Sequence, residues 1–467
     1  MERATFGTLR LSGAALAMVS LLGCELAEPP TDAQLVQDAL PATTTIPAQW
    51  ATSGVPTTAV QGNWVASFRD PNMVRLVNEG LVNNRDLVAA SARVEAAIQT
   101  AVIAGAPLLP QVGLEGGIQN SELRGPGINR TTSGAIIAAS WELDIWGRLR
   151  ASQASSAALA QAIADDAAYL QQSIAATIAR TWIANIEVGR LISVSKKAAA
   201  NYAELLELTN EKEAAGQVSD FDVVQARSRL AAAQAATSSL QTTQNEAIGD
   251  LEVLLGRYPS LRLKPAAAFP RMPTALPASG LPLSLLDRRP DIAAARNKVV
   301  SAFFRSEEAR LTRLPGITLS AAGGTLFDPD FALLGANPEF FRIGLNLLQP
   351  IFAGGAIEAD IARMSANQRA AVAEYGQTVL KAFDEVETAL ANERVLRQEL
   401  ANWSAALADS NEALELANDR YVQGTIDMTD LLFLQQFQIE REVSVIQTEA
   451  ALLSNRVLLY MALGEEF

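Results

Sequence analysis

The sequence predicts a mainly α-helical, internally duplicated chain that also carries two pairs of short amphipathic strands. Three observations support this. First, Gly216-Gln-Val-Ser-Asp-Phe-Asp-Val-Val-Gln returns as Gly424-Thr-Ile-Asp-Met-Thr-Asp-Leu-Leu-Phe, and Leu255-Gly256 as Leu463-Gly464, both at an offset of 208 residues. Asp86-Leu87 and Pro110 return as Asp291-Ile292 and Pro315 at an offset of 205. One large unit has been duplicated, rather than a short repeat stacked. Second, heptad-like spacing runs through segments far longer than ordinary globular helices. Third, four segments alternate apolar and polar residues over strand lengths.

Composition narrows the function classes. The chain has 467 residues, 49% of them apolar, enough for a large core. Its net charge of -14 disfavours nucleic acid as a partner. With no histidine and one cysteine, an internal disulfide is impossible and the usual zinc, haem and Ser-His-Asp sites lack a required group. Carboxylates are scattered over charged helix faces, so neither an enzyme nor a cofactor is expected.

Along the chain, Arg3 and Arg10 accompany an apolar stretch at 11–22, long enough for a signal-peptide core and too short for a normal membrane helix. It ends in Leu21-Leu22-Gly23-Cys24, which resembles a bacterial lipobox. The expected organisation is a signal peptide at 1–23 and a lipidated, extended segment at 24–71, rich in Pro, Thr and Ala. The first structural repeat follows at 72–256, a proline-rich crossover at 257–283 and the second repeat at 284–467.

Each repeat begins with a helix, at about 72–104 and 290–313, the latter opened by Pro290 and Asp291 as suits a first helical turn. Strands are expected at 111–119 and 135–145, joined by a Gly/Pro/Asn-rich loop at 123–133, and at 316–326 and 340–349. Val112, Leu114 and Ile118 share one side of the first; Ile137, Ala139, Trp141, Leu143 and Ile145 share one side of the second. Such lengths cross a bilayer when tilted, although half-buried strands of a soluble sandwich alternate in the same way. If they span a membrane, four strands cannot close a barrel and open edges cannot remain in lipid, so several chains must share one barrel.

Helices then fill 148–215 and 220–256, and again 356–421 and 427–463. Val223, Ala226, Leu230, Ala233, Thr237, Leu240, Gln244, Ala247, Leu251 and Leu254 form a heptad seam whose alanines permit close backbone approach. Pro259, Pro265, Pro270, Pro273, Pro277 and Pro282 exclude helix between the repeats.

These residues carry a family resemblance. Leu21-Leu22-Gly23-Cys24, Asn84-Arg85-Asp86-Leu87, Trp141-Glu142-Leu143-Asp144-Ile145-Trp146-Gly147, Asp287-Arg288-Arg289-Pro290-Asp291-Ile292, Gln349-Pro350-Ile351-Phe352 with Gly354-Gly355, and the two glycine turns occur in order across nearly the whole mature chain. The sequence resembles the TolC-like outer-membrane efflux proteins, most closely the acylated branch serving resistance-nodulation-division pumps. The resemblance implies a homotrimer in outer-membrane lipid, a shared 12-stranded barrel and long hairpins forming a periplasmic tunnel. It also implies a periplasmic membrane-fusion adaptor and an inner-membrane resistance-nodulation-division transporter, with small molecules passing through unchanged. A protein-secretion duct and a structural coiled-coil lipoprotein are the alternatives.

The same resemblance places the turns of Gly216 and Ser219, and of Gly424 and Asp427, at a closed periplasmic tip. Asp430 matches a constricting aspartate, and Asp222 is its counterpart in the first repeat. Both also have capping spacing from Ser219 and Asp427, so helix capping competes with a gate role. Ile426 and Phe433 replace ionic residues of some relatives, leaving an apolar ring of Leu431, Phe433 or Leu434 as a substitute lock. Tyr421 is either a gate contact or interhelix packing. Cys24 is the expected lipidation site; Trp141, Trp146, Phe341 and Phe352 are expected as membrane-interface or equatorial aromatics.

Overall fold

A computed structural model of the chain describes residues 26–52, 63–123, 128–273, 276–277, 282–327 and 339–465. Cys24 and the expected signal peptide at 1–23 lie outside these residues. The described residues divide into two compact units: one drawn from those within 26–43, 93–164 and 294–377, the other from those within 44–92, 165–293 and 378–465.

The first unit holds a single antiparallel sheet in the order β1 (Gln111–Leu123), β2 (Ile128–Glu142), β3 (Gly316–Phe327), β4 (Glu339–Leu348). The first hairpin is longer than its alternation suggests, because Leu123 pairs with Ile128 and draws most of the expected 123–133 loop into the ladder. At its other end β2 stops at Glu142, three residues short of expectation. The Leu143 amide still reaches the Ile317 carbonyl at 2.8 Å, but the Ile145 amide turns back onto the Leu143 carbonyl at 2.9 Å.

The amino-terminal segment was expected to be extended, yet it includes the helix α1 (Asp32–Ala39). Thr31 and Gln34 form its capping box: the Gln34 amide donates to Thr31 Oγ1 at 3.4 Å and the Thr31 amide to Gln34 Oε1 at 2.9 Å. Leu35 is buried, Asp32 pairs with Arg296 at 3.1 Å, and the Ala39 carbonyl lies where a side chain on Gly376 would stand. These tertiary contacts make a helix of a segment too short to show a sustained period.

In the second unit, a short helix α2 (Trp64–Ser67) leads to α3 (Pro71–Asn83) and the start of α4 (Arg85–Gly105). The sequence suggests one helix here, and Asn84 interrupts it. Its Oδ1 accepts the Asp86 and Leu87 amides at 2.9 and 3.2 Å, starting α4, while Nδ2 donates to the Leu254 carbonyl at 2.9 Å.

Two hairpins follow the same plan in the two repeats: α5 (Arg148–Ala214) with α6 (Asp220–Leu254), and, after α7 (Pro290–Leu311), α8 (Ala356–Val422) with α9 (Met428–Ala462). At 67 residues each, α5 and α8 extend roughly 100 Å. In the second unit's core, Trp64, Phe68, Met73 and Leu76 meet Ile178, Trp182 and Ile186 of α5, Leu251 of α6, and Val457 and Tyr460 of α9. Each such side chain contributes about 1.5–3 kcal/mol by leaving water. Asp70 ties this core together, capping α3 through the Asn72 amide at 2.8 Å and accepting Trp182 Nε1 at 2.8 Å.

The hairpin helices end on left-handed glycines, and the duplication extends to what those glycines touch. Gly256 (φ +70) and Gly464 (φ +68) follow α6 and α9, with Arg257 and Glu465 amides returning to the Glu252 and Tyr460 carbonyls at 2.8 and 3.1 Å. A side chain on Gly256 would strike the Asn83 carbonyl; one on Gly464 would come 3.1 Å from the Arg288 carbonyl, the equivalent place in the second repeat.

Among its described residues, the proline-rich crossover is anchored by two buried side chains. Glu252 accepts from the Leu261 amide at 2.8 Å, Ser260 Oγ at 3.0 Å and the Arg262 amide at 3.3 Å, with Leu261 held at φ +57. Arg456 donates to the Pro273 carbonyl at 3.2 Å. Burial alone would raise the Glu252 pKa, but the hydrogen bonds from Leu261, Ser260 and Arg262 outweigh it and hold the carboxyl below its ordinary value. The stabilisation is therefore present above the unfolded pKa of about 4.3 and is lost as pH falls through the lower folded value. Glu252→Ala is expected to cost about 2 kcal/mol at neutral pH, read as a lower denaturant midpoint, with the deficit shrinking on acidification. An equal deficit at all pH values would exclude this linkage.

Candidate functional site

The sheet has one apolar face. Its register sets Leu114, Ile137, Gly323 and Phe341 in one row across the strands, and Val112, Ala139, Ala321 and Ile343 in the next. Trp141, Leu319 and Leu345 continue the same face. Val112, Leu114, Ile118, Ile137, Phe341, Ile343, Leu345 and Leu347 are each more than half exposed. The opposite rows read Gln111, Ser140, Ser320 and Gly344, then Gly113, Ala138, Ala322 and Arg342, with Glu142, Thr318 and Asn346 alongside. Small and polar residues on one side with bulky apolar ones on the other suit a wall between an aqueous passage and lipid. As outermost strands, β1 and β4 each keep an unpaired edge within the described chain.

Where the strands give way to helix, Trp146 Nε1 donates to the Pro315 carbonyl at 2.8 Å, and Trp141 Nε1 to the Leu108 carbonyl at 2.9 Å. Trp141 thus belongs to the apolar face and is pinned at its end, whereas Trp146 ties the β2–α5 passage to the start of β3. Phe341 projects from the sheet; Phe352, 89% exposed, lies between β4 and α8. Asp144, not singled out from sequence, starts α5: its carboxylate accepts the Leu149 and Arg150 amides at 2.9 and 3.0 Å. The signal was present as Asp before Gly147 (φ +85) and a long helical pattern.

In the second unit, α5 and α8 close on the same turn. Gly216 (φ +70) and Gly424 (φ +73) are left-handed, and the Gln217 and Thr425 amides return to the Lys212 and Arg420 carbonyls at 2.8 and 2.9 Å. The aspartates then diverge. Asp222 accepts from the Ser219 amide at 2.9 Å and the Ser219 hydroxyl at 2.8 Å, so its carboxylate is committed to the turn. In the other turn Asp427 is the cap, accepting the Asp430 amide at 2.8 Å. No described residue hydrogen-bonds or ion-pairs with the Asp430 carboxylate, which is exposed.

The apolar candidates separate by helical phase. Leu431 and Tyr421 are buried in a cluster with Tyr202, Leu205 and Met428, and Leu434 packs against it. Phe433 points outward at 59% exposure and packs against Phe437 with tilted rings, centres 4.6 Å apart. Lys212 was missed by the sequence reading: its ammonium lies 3.9 Å from the Tyr421 ring centre and donates to the Tyr421 carbonyl at 3.2 Å, tying α5 to the last turn of α8. Burial pushes the Tyr421 pKa up; the Thr209 hydroxyl opposes this and the Asp222 carboxylate adds to it.

Comparison with known proteins agrees with this architecture. The family model described as "Outer membrane efflux protein" matches residues 76–257 and 281–465, once per repeat. The chain is 30% identical over 459 residues to the pyoverdine export outer membrane protein OpmQ of Pseudomonas putida, covering 96% of this chain and 95% of that one. It is also 30% identical over 436 residues to the toluene efflux pump outer membrane protein TtgC of the same species, covering 90% and 88%. Among solved structures, the outer-membrane channel OprN superposes with a TM-score of 0.82 at 27% identity, covering 91% of this chain and 99% of that one. The CmeC outer membrane channel of Campylobacter jejuni shares the fold, with a TM-score of 0.85 at 22% identity and coverage of 94% and 95%. The protein is an outer-membrane efflux channel component, its sheet in the membrane and its long helices in the periplasm. Duplicated hairpins, one-sided sheet and relatives matched almost end to end agree: the chain belongs to the outer membrane efflux protein family.

Proposed function

We propose that three copies of this chain form one efflux duct, each contributing its four strands to a shared barrel, and that the duct passively conducts small organic molecules. The carrying observation is the four-stranded sheet, apolar on one face, with unpaired edges at β1 and β4. Open edges cannot remain in hydrocarbon, so strands of further copies must meet them. The relatives' names, pyoverdine export and toluene efflux, support small organic cargo. A periplasmic adaptor and an inner-membrane resistance-nodulation-division transporter would deliver it, with the transporter supplying the energy.

The residues proposed to act are Cys24 as lipid anchor and Asp430 as the principal gate group, with Asp222 and Phe433 in lesser gate roles. Supporting the anchor, Leu26, two positions after Cys24 in the sequence, lies against Gly147, where β2 passes into α5. An acyl chain attached this close in sequence to Leu26 would enter the leaflet next to the proposed barrel.

The purified protein should run as a heat-modifiable oligomer whose mass in detergent solution is three chains plus bound detergent. A monomer that does not partition into membranes would overturn the proposal. Mass spectrometry should find acyl groups on Cys24 and none in Cys24→Ser; lipid retained by the variant would remove the anchor assignment while leaving the trimer standing.

A further inference from the structure

The two strand-to-helix passages correspond residue for residue and differ in what covers them. Ile145-Trp146 before Gly147 matches Ile351-Phe352 before Gly354, each running from a strand to a left-handed glycine and a 67-residue helix. In the first repeat Ile145 and Trp146 are half-buried, because β3 lies beside β2 and Pro315, just before β3, accepts the Trp146 indole at 2.8 Å. In the second, Ile351 and Phe352 are 88% and 89% exposed, since no strand lies beyond β4 among the described residues. The residue that corresponds to Pro315 is Pro110, which leads into β1 and stands exposed at the opposite edge of the sheet.

The helices repeat the contrast. α7 lies between α5 and α8, with the Ser155 hydroxyl donating to the Ser301 carbonyl at 2.9 Å and Ser306 Oγ 3.4 Å from Ser365 Oγ. Its counterpart α4 meets α5 at Gly105, where an added side chain would strike Gln153, while Ile98, Val102 and Ile103 are at least half exposed. For α4, the long helix of the preceding repeat would be α8 of another copy.

We propose that the joint between copies reproduces the joint between repeats, with β4 of one copy paired to β1 of the next in one fixed register. Carried across by the same correspondence, Trp141 opposite Leu319 becomes Leu347 opposite Leu114 of the second copy, and Ile137 opposite Gly323 becomes Ile343 opposite Ile118 of the second copy. This keeps the apolar residues of both copies on one side, whereas a slip of one residue would set Leu347 against Gly113 or Glu115. The row through Leu114, Ile137, Gly323 and Phe341 then reaches Asn120 of the next copy, six positions beyond Leu114. Over three copies that stagger tilts the strands by about 45°, compatible with closure. At the rim Phe352 meets Pro110 of the second copy, whose α4 lies along α8. The inference rests on the shared barrel proposed above and adds the register and contacts that close it.

The test places cysteine pairs in the full protein and oxidises it in native outer membranes with copper phenanthroline, with the parent and each single variant as controls. Facing residues come within disulfide reach, whereas diagonal ones lie about 7–8 Å apart. Leu347→Cys with Leu114→Cys should therefore give covalent trimers that survive boiling, about fivefold more than Leu347→Cys with Val112→Cys or with Gly116→Cys. Phe352→Asp should lower the temperature at which the trimer dissociates, and Phe352→Trp should preserve it. The mass of each unoxidised variant in detergent solution separates the two readings. Three chains with the strongest cross-link in a slipped pair, or with none in any pair, would overturn the register; a single chain would overturn the shared barrel itself. Phe352→Asp dissociating like the parent would remove the rim contact.

Discussion

Arg456→Met is expected to destabilise the chain by about 3–5 kcal/mol, the cost of leaving a buried charge without its partner. Arg456 has no solvent exposure, and its guanidinium donates to Glu393 Oε1 at 2.7 Å and to the Pro273 carbonyl at 3.2 Å. Glu393 is itself buried and, among the described residues, would keep only Arg397, at 2.9 Å and 43% exposed. The substitution also removes a cation facing Glu465. Burial already pushes the Glu465 pKa up to about 8, with Arg288 and Arg456 opposing the rise. Because the folded pKa exceeds the unfolded value of about 4.3, this carboxyl favours the fold most below pH 4. That contribution is lost as pH rises through about 8. Arg456→Met should therefore be relatively worst at alkaline pH. Adding Glu393→Met should recover part of the loss, since an apolar pair no longer buries an unmatched charge. Thermal dissociation and denaturant midpoints of the detergent-solubilised protein would read both effects; a single variant within 1 kcal/mol of the parent would show the ion pair to be solvated.

That ion pair marks a boundary of what the amino-acid order reveals. Glu393 and Arg456 lie 63 positions apart on two long helices, each among other charges, and nothing local separates them from a solvated face. By contrast, the hairpins were legible because glycine at a left-handed helix end and apolar steps of three and four are local signals. The sheet's apolar face was legible for the same reason, since side chains alternate with period two whatever the strand pairs with. Its exact extent was not: the ladder continues from Leu123 to Ile128 through register, which depends on the partner strand. Asn84 shows an intermediate case, where an N-cap stood in the sequence without glycine or proline to announce the break. At the turns, Leu431 and Phe433 are two residues apart and equally apolar, yet helical phase buries one and exposes the other. Asp222 and Asp430 correspond in sequence, and only their hydrogen bonds distinguish them.

Replacing Asp430 by alanine should open the duct with almost no effect on folding. In the Asp430 turn the capping bond uses the Asp430 backbone amide and the Asp427 carboxylate, so the Asp430 side chain can be removed while the cap stays intact. Surface substitutions of this kind fall within about 0.5 kcal/mol in stability. In the proposed three-fold assembly the exposed carboxylates would form a ring that attracts cations, so closure depends on the cations it holds. A loss of about 1.4 kcal/mol in closing free energy shifts the open-to-closed ratio tenfold. Single-channel recordings in planar bilayers should therefore show higher mean conductance for Asp430→Ala and weaker block by divalent cations. Asp427→Ala provides the contrast: it removes the cap, costs about 1 kcal/mol of helix stability and leaves the Asp430 carboxylate in place. Asp222→Ala combines both effects, because its carboxylate holds the Ser219 amide and hydroxyl. If Asp430→Ala leaves conductance and cation block unchanged while Asp427→Ala alters them, the turn's hydrogen bonds rather than the carboxylate ring close the duct.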